Sequence, residues 1–125
     1  MESLNKTILV IDDEEQYRDY LTRLLENKGY EVCSADNGIT GEEKIKQHTP
    51  DLIITDIVMP DKEGVEFIQN LREFDKSTPI IAISGGNRVN AYSYLALSKK
   101  LGANAILAKP FSSSDLLSTI NKLLA

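Results

Sequence analysis

Histidine and cysteine each occur once in these 125 residues, as His48 and Cys33. A single cysteine rules out an intrachain disulfide and points to a reducing, cytoplasmic setting. Cys33 falls in a strand-like run, where a thiol acts as a small hydrophobe with no redox role. Long apolar runs are missing too, so nothing here spans a bilayer, and the opening MESLNKTILV lacks a signal-peptide pattern. Positive charge is in deficit, with 14 basic residues against 19 acidic ones and a formal net charge of -5. That balance argues against a surface that wraps nucleic acid through its phosphates. Internal repeats, low-complexity tracts and linker-like segments are also absent. The length suits one domain with one core, and 42% apolar with 26% charged residues is ordinary for a soluble globular protein.

Four short runs are almost continuously apolar: TILVI (Thr7 to Ile11), DLIIT (Asp51 to Thr55), PIIAI (Pro79 to Ile83) and NAILA (Asn104 to Ala108). Isoleucine-rich runs of this length read as strands buried on both faces, the habit of a parallel sheet covered by helices. A fifth, YEVCSA at Tyr30 to Ala35, alternates more and reads as a strand nearer an edge. Between the runs the apolar period changes to about 3.6. Tyr17, Leu21, Leu24 and Leu25 share one helical face, which Gly29 would end. Val65, Ile68 and Leu71 share a second, widened by Phe67 and Phe74, while Leu116, Leu117, Ile120, Leu123 and Leu124 share a third. The third is entered through Ser112 and Asp115 at capping-box spacing. Weaker helical patterns cover Ile39 to Gln47 and Val89 to Leu101. Five βα units predict an open, doubly wound α/β sheet.

Polar residues follow these strands in a pattern. Asp12 and Asp13 follow the first, Asp56 the third, Ser84 the fourth and Lys109 the fifth. Open α/β sheets gather ligands outside the carboxyl ends of their strands, where strand order reverses. In a 2-1-3-4-5 order, Asp12, Asp13 and Asp56 would face one another there, flanked by Ser84 and Lys109. Carboxylates that close repel, and desolvation adds to the cost. A hard divalent cation with oxygen ligands relieves both, and Mg2+ suits a site with few carboxylates and retained waters. Three carboxylates, one Lys and one Mg2+ sum to zero charge. Converting Asp56 to an acyl phosphate would leave about -1, which such a site tolerates. Cations around the equatorial oxygens and an in-line aspartate nucleophile are the requirements of phosphoryl transfer.

VIDDE, LIITDIVMPDKEG, IAISG and ILAKPF, in this order and spacing, strongly resemble the receiver domains of two-component response regulators. The resemblance covers essentially the whole chain, 1–125, and its four motifs together are highly specific. It implies the flavodoxin-like, chemotaxis-receiver-like strand order 2-1-3-4-5. It also implies Asp56 as the phosphoacceptor and Asp13 as a direct Mg2+ ligand. Asp12 would help through water, and the backbone carbonyl of Val58 would complete the protein ligands. Lys109 would pair with Asp56 or its phosphoryl group, and Ser84 would bond a phosphoryl oxygen. A cis Lys109–Pro110 peptide is implied as well, with Gly64 in a backbone conformation that side chains disfavour. His48 sits just before a strand, where a solvent-exposed loop is expected, and lies on no catalytic motif. A phosphohistidine donor must then belong to a partner, a histidine kinase or a histidine phosphotransfer protein. The resemblance implies an output protein or domain as the second partner, with no direct nucleic-acid or membrane contact, and no catalysis beyond the chain's own phosphorylation and slow hydrolysis. The chain stops just after its fifth helical pattern, which suits a free-standing receiver or one cut from a longer regulator or hybrid kinase.

Two departures from the family stand out. It usually carries Tyr or Phe three positions before its lysine, and here that position is Ile106. The Ser84 to Lys109 segment is also a few residues longer than typical and starts with SGGN, where two successive glycines add backbone freedom. That points to an unusual output surface around the fourth helix, where Tyr92 or Tyr94 could contribute an aromatic or simply pack. Other readings compete. Asp13 alone could be a helix N-cap and Ser84 an ordinary strand-end serine. A haloacid-dehalogenase-type phosphatase wants an acid two residues after its nucleophile, where this chain has Val58. A flavodoxin-type FMN binder shares the fold, but DDEEQ repels phosphate without a metal. A phosphorylation-independent interaction module would not need the acidic cluster and lysine intact.

Overall fold

The computed structural model describes residues 6–57, 64–85 and 91–125. Val58 and the Gly86 to Asn90 part of the long segment lie outside them, as do the side chains of Val65, Tyr92 and Tyr94. Strands β1 (Thr7–Ile11), β2 (Glu31–Ala35), β3 (Leu52–Asp56), β4 (Ile80–Gly85) and β5 (Ala105–Lys109) alternate with five helices. These are α1 (Glu15–Asn27), α2 (Gly38–His48), α3 (Gly64–Arg72), α4 (Ala91–Leu101) and α5 (Ser113–Leu124). The strands form one parallel sheet in the order β2-β1-β3-β4-β5, as the resemblance implied.

Successive strand residues point to opposite sides of the sheet, so two cores form. Ile8, Val10, Leu52, Ile54, Ile81 and Ile83 meet Leu21 and Leu25 of α1 and Leu116 and Ile120 of α5. Leu9, Ile11, Ile53, Ile80 and Ala82 meet Phe67, Ile68 and Leu71 of α3 on the other side. Helix ends follow sequence signals. Gly29, at φ 97, stops α1, its N–H bonding Glu26 O at 3.0 Å. Ser112 Oγ accepts from Asp115 N–H at 2.9 Å and caps α5, and Asn37 caps α2.

Three readings of the sequence need correction. NAILA contributes the edge strand β5, none of whose residues is fully buried, and Ile106 is 37% exposed. Phe74 does not widen the α3 face; the helix ends at Arg72 and the ring is 71% exposed in the following turn. His48 is the last, exposed residue of α2 and not part of a loop.

At the amino ends of β4 and β5 a polar clasp replaces apolar packing. Arg72 donates to the carbonyls of Gly102 (3.1 Å), Asp75 (2.9 Å) and Thr78 (2.7 Å), and to Asn104 Oδ1 at 3.0 Å. Asn104 Oδ1 also accepts from Ile80 N–H at 2.9 Å. One guanidinium therefore joins the end of α3, the α3–β4 turn and the α4–β5 turn. Gly102 adopts φ +130, and a Cβ there would sit 2.7 Å from Arg72 Cγ. Gly102→Ala combines backbone strain with displacement of the clasp, and should lower unfolding free energy by about 2–3 kcal/mol in urea melts. A loss under about 0.5 kcal/mol, the scale of an ordinary surface change, would show that the clasp adapts.

Asp75 closes the α3–β4 turn. Its Oδ2 accepts from Thr78 Oγ1 at 2.6 Å, and its Oδ1 from Ser77 N–H at 3.0 Å and Thr78 N–H at 3.1 Å. The Thr78 hydroxyl foremost, with these amides, holds its pKa down at about 2. A depressed folded-state pKa stabilises fully above the ordinary carboxylate value of 3.8, and that stabilisation is lost as pH falls through about 2. Much of the group is solvated, so Asp75→Ala should cost only about 1 kcal/mol at pH 7. The gap between the proteins should close between about pH 4 and pH 2 in acid titrations of stability. A gap constant across that range would assign it to the turn's shape and not to the carboxylate.

Candidate functional site

Asp12, Asp56 and Lys109 continue the alternation of Val10, Ile54 and Leu107, so strand geometry turns all three toward the α1 and α5 side. Ile11 is paired with Thr55 and Asp56 with Ile83, which sets Asp12 and Asp56 at one level of the sheet. Both carboxylates are buried, at 0% and 1% exposure. Lys109 comes in from β5, and its long stem spans the width of β4. Its Nζ donates to Asp12 Oδ2 at 2.8 Å, Glu14 Oε1 at 2.9 Å and Asp56 Oδ2 at 3.3 Å. The Lys109–Pro110 peptide is cis, as the resemblance implied.

The turn from β1 into α1 is built on Asp12. Its Oδ1 accepts from Glu14 N–H at 2.9 Å and its carbonyl accepts from Arg18 Nη1 at 2.7 Å. Asp13 is therefore not the N-cap of α1. That position is Glu14, whose side chain makes no capping bond. Asp13 instead faces the site: one oxygen from each of Asp12, Asp13 and Asp56 lies within 4.8 Å of the other two. Such a set could hold a metal ion. Asp13 Oδ1 in this cluster and Ser84 Oγ at the carboxyl end of β4 are buried and have no hydrogen-bond partner among the described residues. Buried oxygens are normally bonded, so the Asp13 oxygen within the cluster marks a place suited to a ligand.

Burial pushes the Asp12 carboxyl up, against the opposing pull of the Lys109 hydrogen bond and the Glu14 N–H. Burial by itself would lower Lys109, but the Asp12 hydrogen bond and the charges of Asp56 and Asp12 outweigh it and hold the ammonium above the usual lysine range. Lys109 is thus a fixed positive charge.

Sequence reasoning brought Asp12, Asp13, Asp56 and Lys109 to one place, and the structure joins them. Val58 lies outside the described residues, as does the backbone preceding Gly64, which opens α3. Two neighbours were missed. Glu14 is a third carboxylate on Lys109 and a fourth in the site, so the tally of three carboxylates, one lysine and one Mg2+ is one negative charge short. Tyr17, read as part of the apolar stripe of α1, lays its ring 4.2 Å from Lys109 Nζ. The ring also stacks edge-on against Phe111, 5.8 Å between centroids at 88°. Burial raises the Tyr17 phenol to about 12, so it stays neutral. Glu14 and Tyr17 stand three residues apart at the start of a helix, a spacing that places them on one face without naming Lys109 as their partner.

The family model described as response regulator receiver domain matches residues 8–121. The chain is 34% identical over 122 residues to the response regulator receiver protein CpdR of Brucella abortus (strain 2308), covering 95% of this chain and 97% of that protein. It is 33% identical over 117 residues to the transcriptional regulatory protein CusR of Escherichia coli (strain K12), covering 94% of this chain but 50% of CusR. Among solved structures, the beryllofluoride-activated NtrC4 receiver domain dimer superposes with a TM-score of 0.83 at 35% identity, covering 94% of this chain and 95% of that one. With that fold, those strand-end residues and a family match over nearly its whole length, the chain belongs to the response regulator receiver domain family.

Proposed function

We propose that this chain is a Mg2+-dependent phosphoryl switch that takes a phosphoryl group onto Asp56 from a partner's phosphohistidine. The observation that carries the reading is the meeting of Asp12, Asp13 and Asp56 within 4.8 Å, with Lys109 bonded to two of them and a buried Asp13 oxygen without a partner among the described residues. An all-oxygen, carboxylate-rich donor set fits a hard cation. Asp13, Asp56 and the Val58 carbonyl would hold Mg2+, with Asp12 acting through water. Bound there, Mg2+ would supply positive charge to the oxygens of the transferred group.

In the transfer, an Asp56 oxygen attacks phosphorus, the P–N bond to the donor imidazole breaks, and the electron pair stays on that nitrogen. Lys109 is the resident cation beside the new anion. Ser84 Oγ–H, without a partner among the described residues, would have a proton to donate to a phosphoryl oxygen. Loss of the group is hydrolysis: water attacks phosphorus, the acyl P–O bond breaks, and inorganic phosphate leaves. Both steps act on the chain itself, so it is a switch and not an enzyme for other substrates. His48, at the exposed far end of α2, is no donor to Asp56. The donor is then a cytoplasmic histidine kinase or histidine phosphotransfer protein. The phosphorylated form would change its affinity for an output protein or domain. Among the described residues no helix is long and apolar enough to cross a membrane, which suits that setting.

Incubation with Mg2+ and a small phosphodonor should add the mass of one phosphoryl group to the intact protein, and Asp56→Asn should add none. Labelling of Asp56→Asn equal to wild type would overturn the assignment. A second outcome concerns stability. In a chelator, Asp13→Asn removes one of several crowded like charges and should stabilise the protein by about 1 kcal/mol. Mg2+ at about 100 times its Kd should stabilise wild type by about 2.7 kcal/mol, and Asp13→Asn by much less. Equal Mg2+ shifts in thermal melts would take Asp13 out of the metal site.

A further inference from the structure

Glu14 occupies the N-cap position of α1, where Ser, Thr, Asn and Asp are preferred because a short side chain can reach back to the first amides. It makes no such bond. Its Oε1 instead accepts from Lys109 Nζ at 2.9 Å, closer than Asp56 at 3.3 Å. An ammonium has three protons, and Lys109 has three carboxylate acceptors. The Tyr17 ring, 4.2 Å away and wedged against Phe111, occupies one side of the same ammonium. A proton given to a phosphoryl oxygen must therefore come from an existing partner. Asp12 is buried and also holds the α1 turn through Glu14 N–H, whereas the Glu14 side chain is 59% exposed and bonds Lys109 without belonging to the carboxylate trio.

We infer that Glu14 is a positioning residue that restrains Lys109 toward the rim of the site and so slows phosphoryl uptake by Asp56. The inference rests on the phosphoryl-acceptor reading above. It assigns to a single exposed side chain the setting of how readily the lysine is handed over. The chemistry needs no further reactant, since only a hydrogen-bond partner of Lys109 changes. Glu14 also contributes a negative charge at the mouth, which an anionic donor must approach. These two contributions are separable, because Glu15 next to it brings the same charge and lines the same open hollow on α1.

The test is the rate of phosphoryl uptake from a small phosphodonor at saturating Mg2+, followed by intact mass, in wild type, Glu14→Gln, Glu14→Asp and Glu15→Gln. Breaking one exposed ion pair is worth up to about 1 kcal/mol, so Glu14→Gln should take up the group about fivefold faster. The Mg2+ concentration for half-maximal uptake should move less than the rate, since Glu14 is not in the carboxylate trio. Glu14→Asp keeps the charge but is one methylene too short to hold Nζ where it is. It should also be faster than wild type, and Glu15→Gln should match wild type. Equal rates in wild type and Glu14→Gln would overturn the inference while leaving the phosphoacceptor reading intact. So would an equal gain in Glu15→Gln, or wild-type behaviour in Glu14→Asp, either of which would reduce Glu14 to a general charge. Failure of every protein to label would take down the inference together with the reading beneath it.

Discussion

Everything at the carboxyl ends of the strands is arranged around the Lys109 ammonium. Asp12 and Asp56 are buried side by side, and an unpaired buried charge is among the most destabilising features a fold can carry. Lys109 comes from an edge strand two positions away from β3, and only a side chain of its length bridges that gap. It reaches both the carboxylate that follows β1 and the one that ends β3. The strand order and the placement of polar residues at strand ends are thus two sides of a single constraint. Shift β5 by one residue and the lysine would point to the other face.

The opposite end of the sheet is tied differently. There Arg72 binds backbone carbonyls and one amide side chain, all of them uncharged acceptors fixed by turns. A guanidinium bonded in this way has a single satisfied arrangement, whereas Lys109 sits among three competing carboxylates. The first clasp suits a constant framework. The second leaves its hydrogen bonds open to redistribution, and the buried Asp13 Oδ1, without a partner among the described residues, belongs to the same carboxylate cluster.

Much of this was legible in the sequence because buried parallel strands are nearly pure apolar runs, so the first polar residue after each run marks the same edge of the sheet. Asp12, Asp56, Ser84 and Lys109 were found in that way. Strand order was not, since periodicity carries no information about lateral neighbours; it came from the family motifs. Edge status was misread for β5, because Ala105, Ile106 and Leu107 are as apolar as a central strand although none of them is fully buried. Phe74 was misplaced because helical spacing continues past the turn where Arg72 and Asp75 end α3. Glu14 was passed over for a related reason. An acidic residue at a helix start has an ordinary electrostatic role there, and nothing local reveals a partner 95 residues away.

Ile106 and Tyr17 belong in the same argument. The family usually places an aromatic three residues before its lysine, and this chain has an aliphatic residue there, 37% exposed on the edge strand. The ring that touches Lys109 comes instead from α1, and it is braced by Phe111 two residues beyond the lysine and by Tyr20 at 5.7 Å. A cation that moves relative to a ring changes the energy of that contact by about 0.5–2 kcal/mol, enough to bias a neighbouring side chain but not a whole fold. The aromatic contact with the lysine therefore lies between α1 and the start of α5. Besides the two buried aspartates, Lys109 touches Glu14 and Tyr17 at the start of α1, the helix that also supplies core residues Leu21 and Leu25.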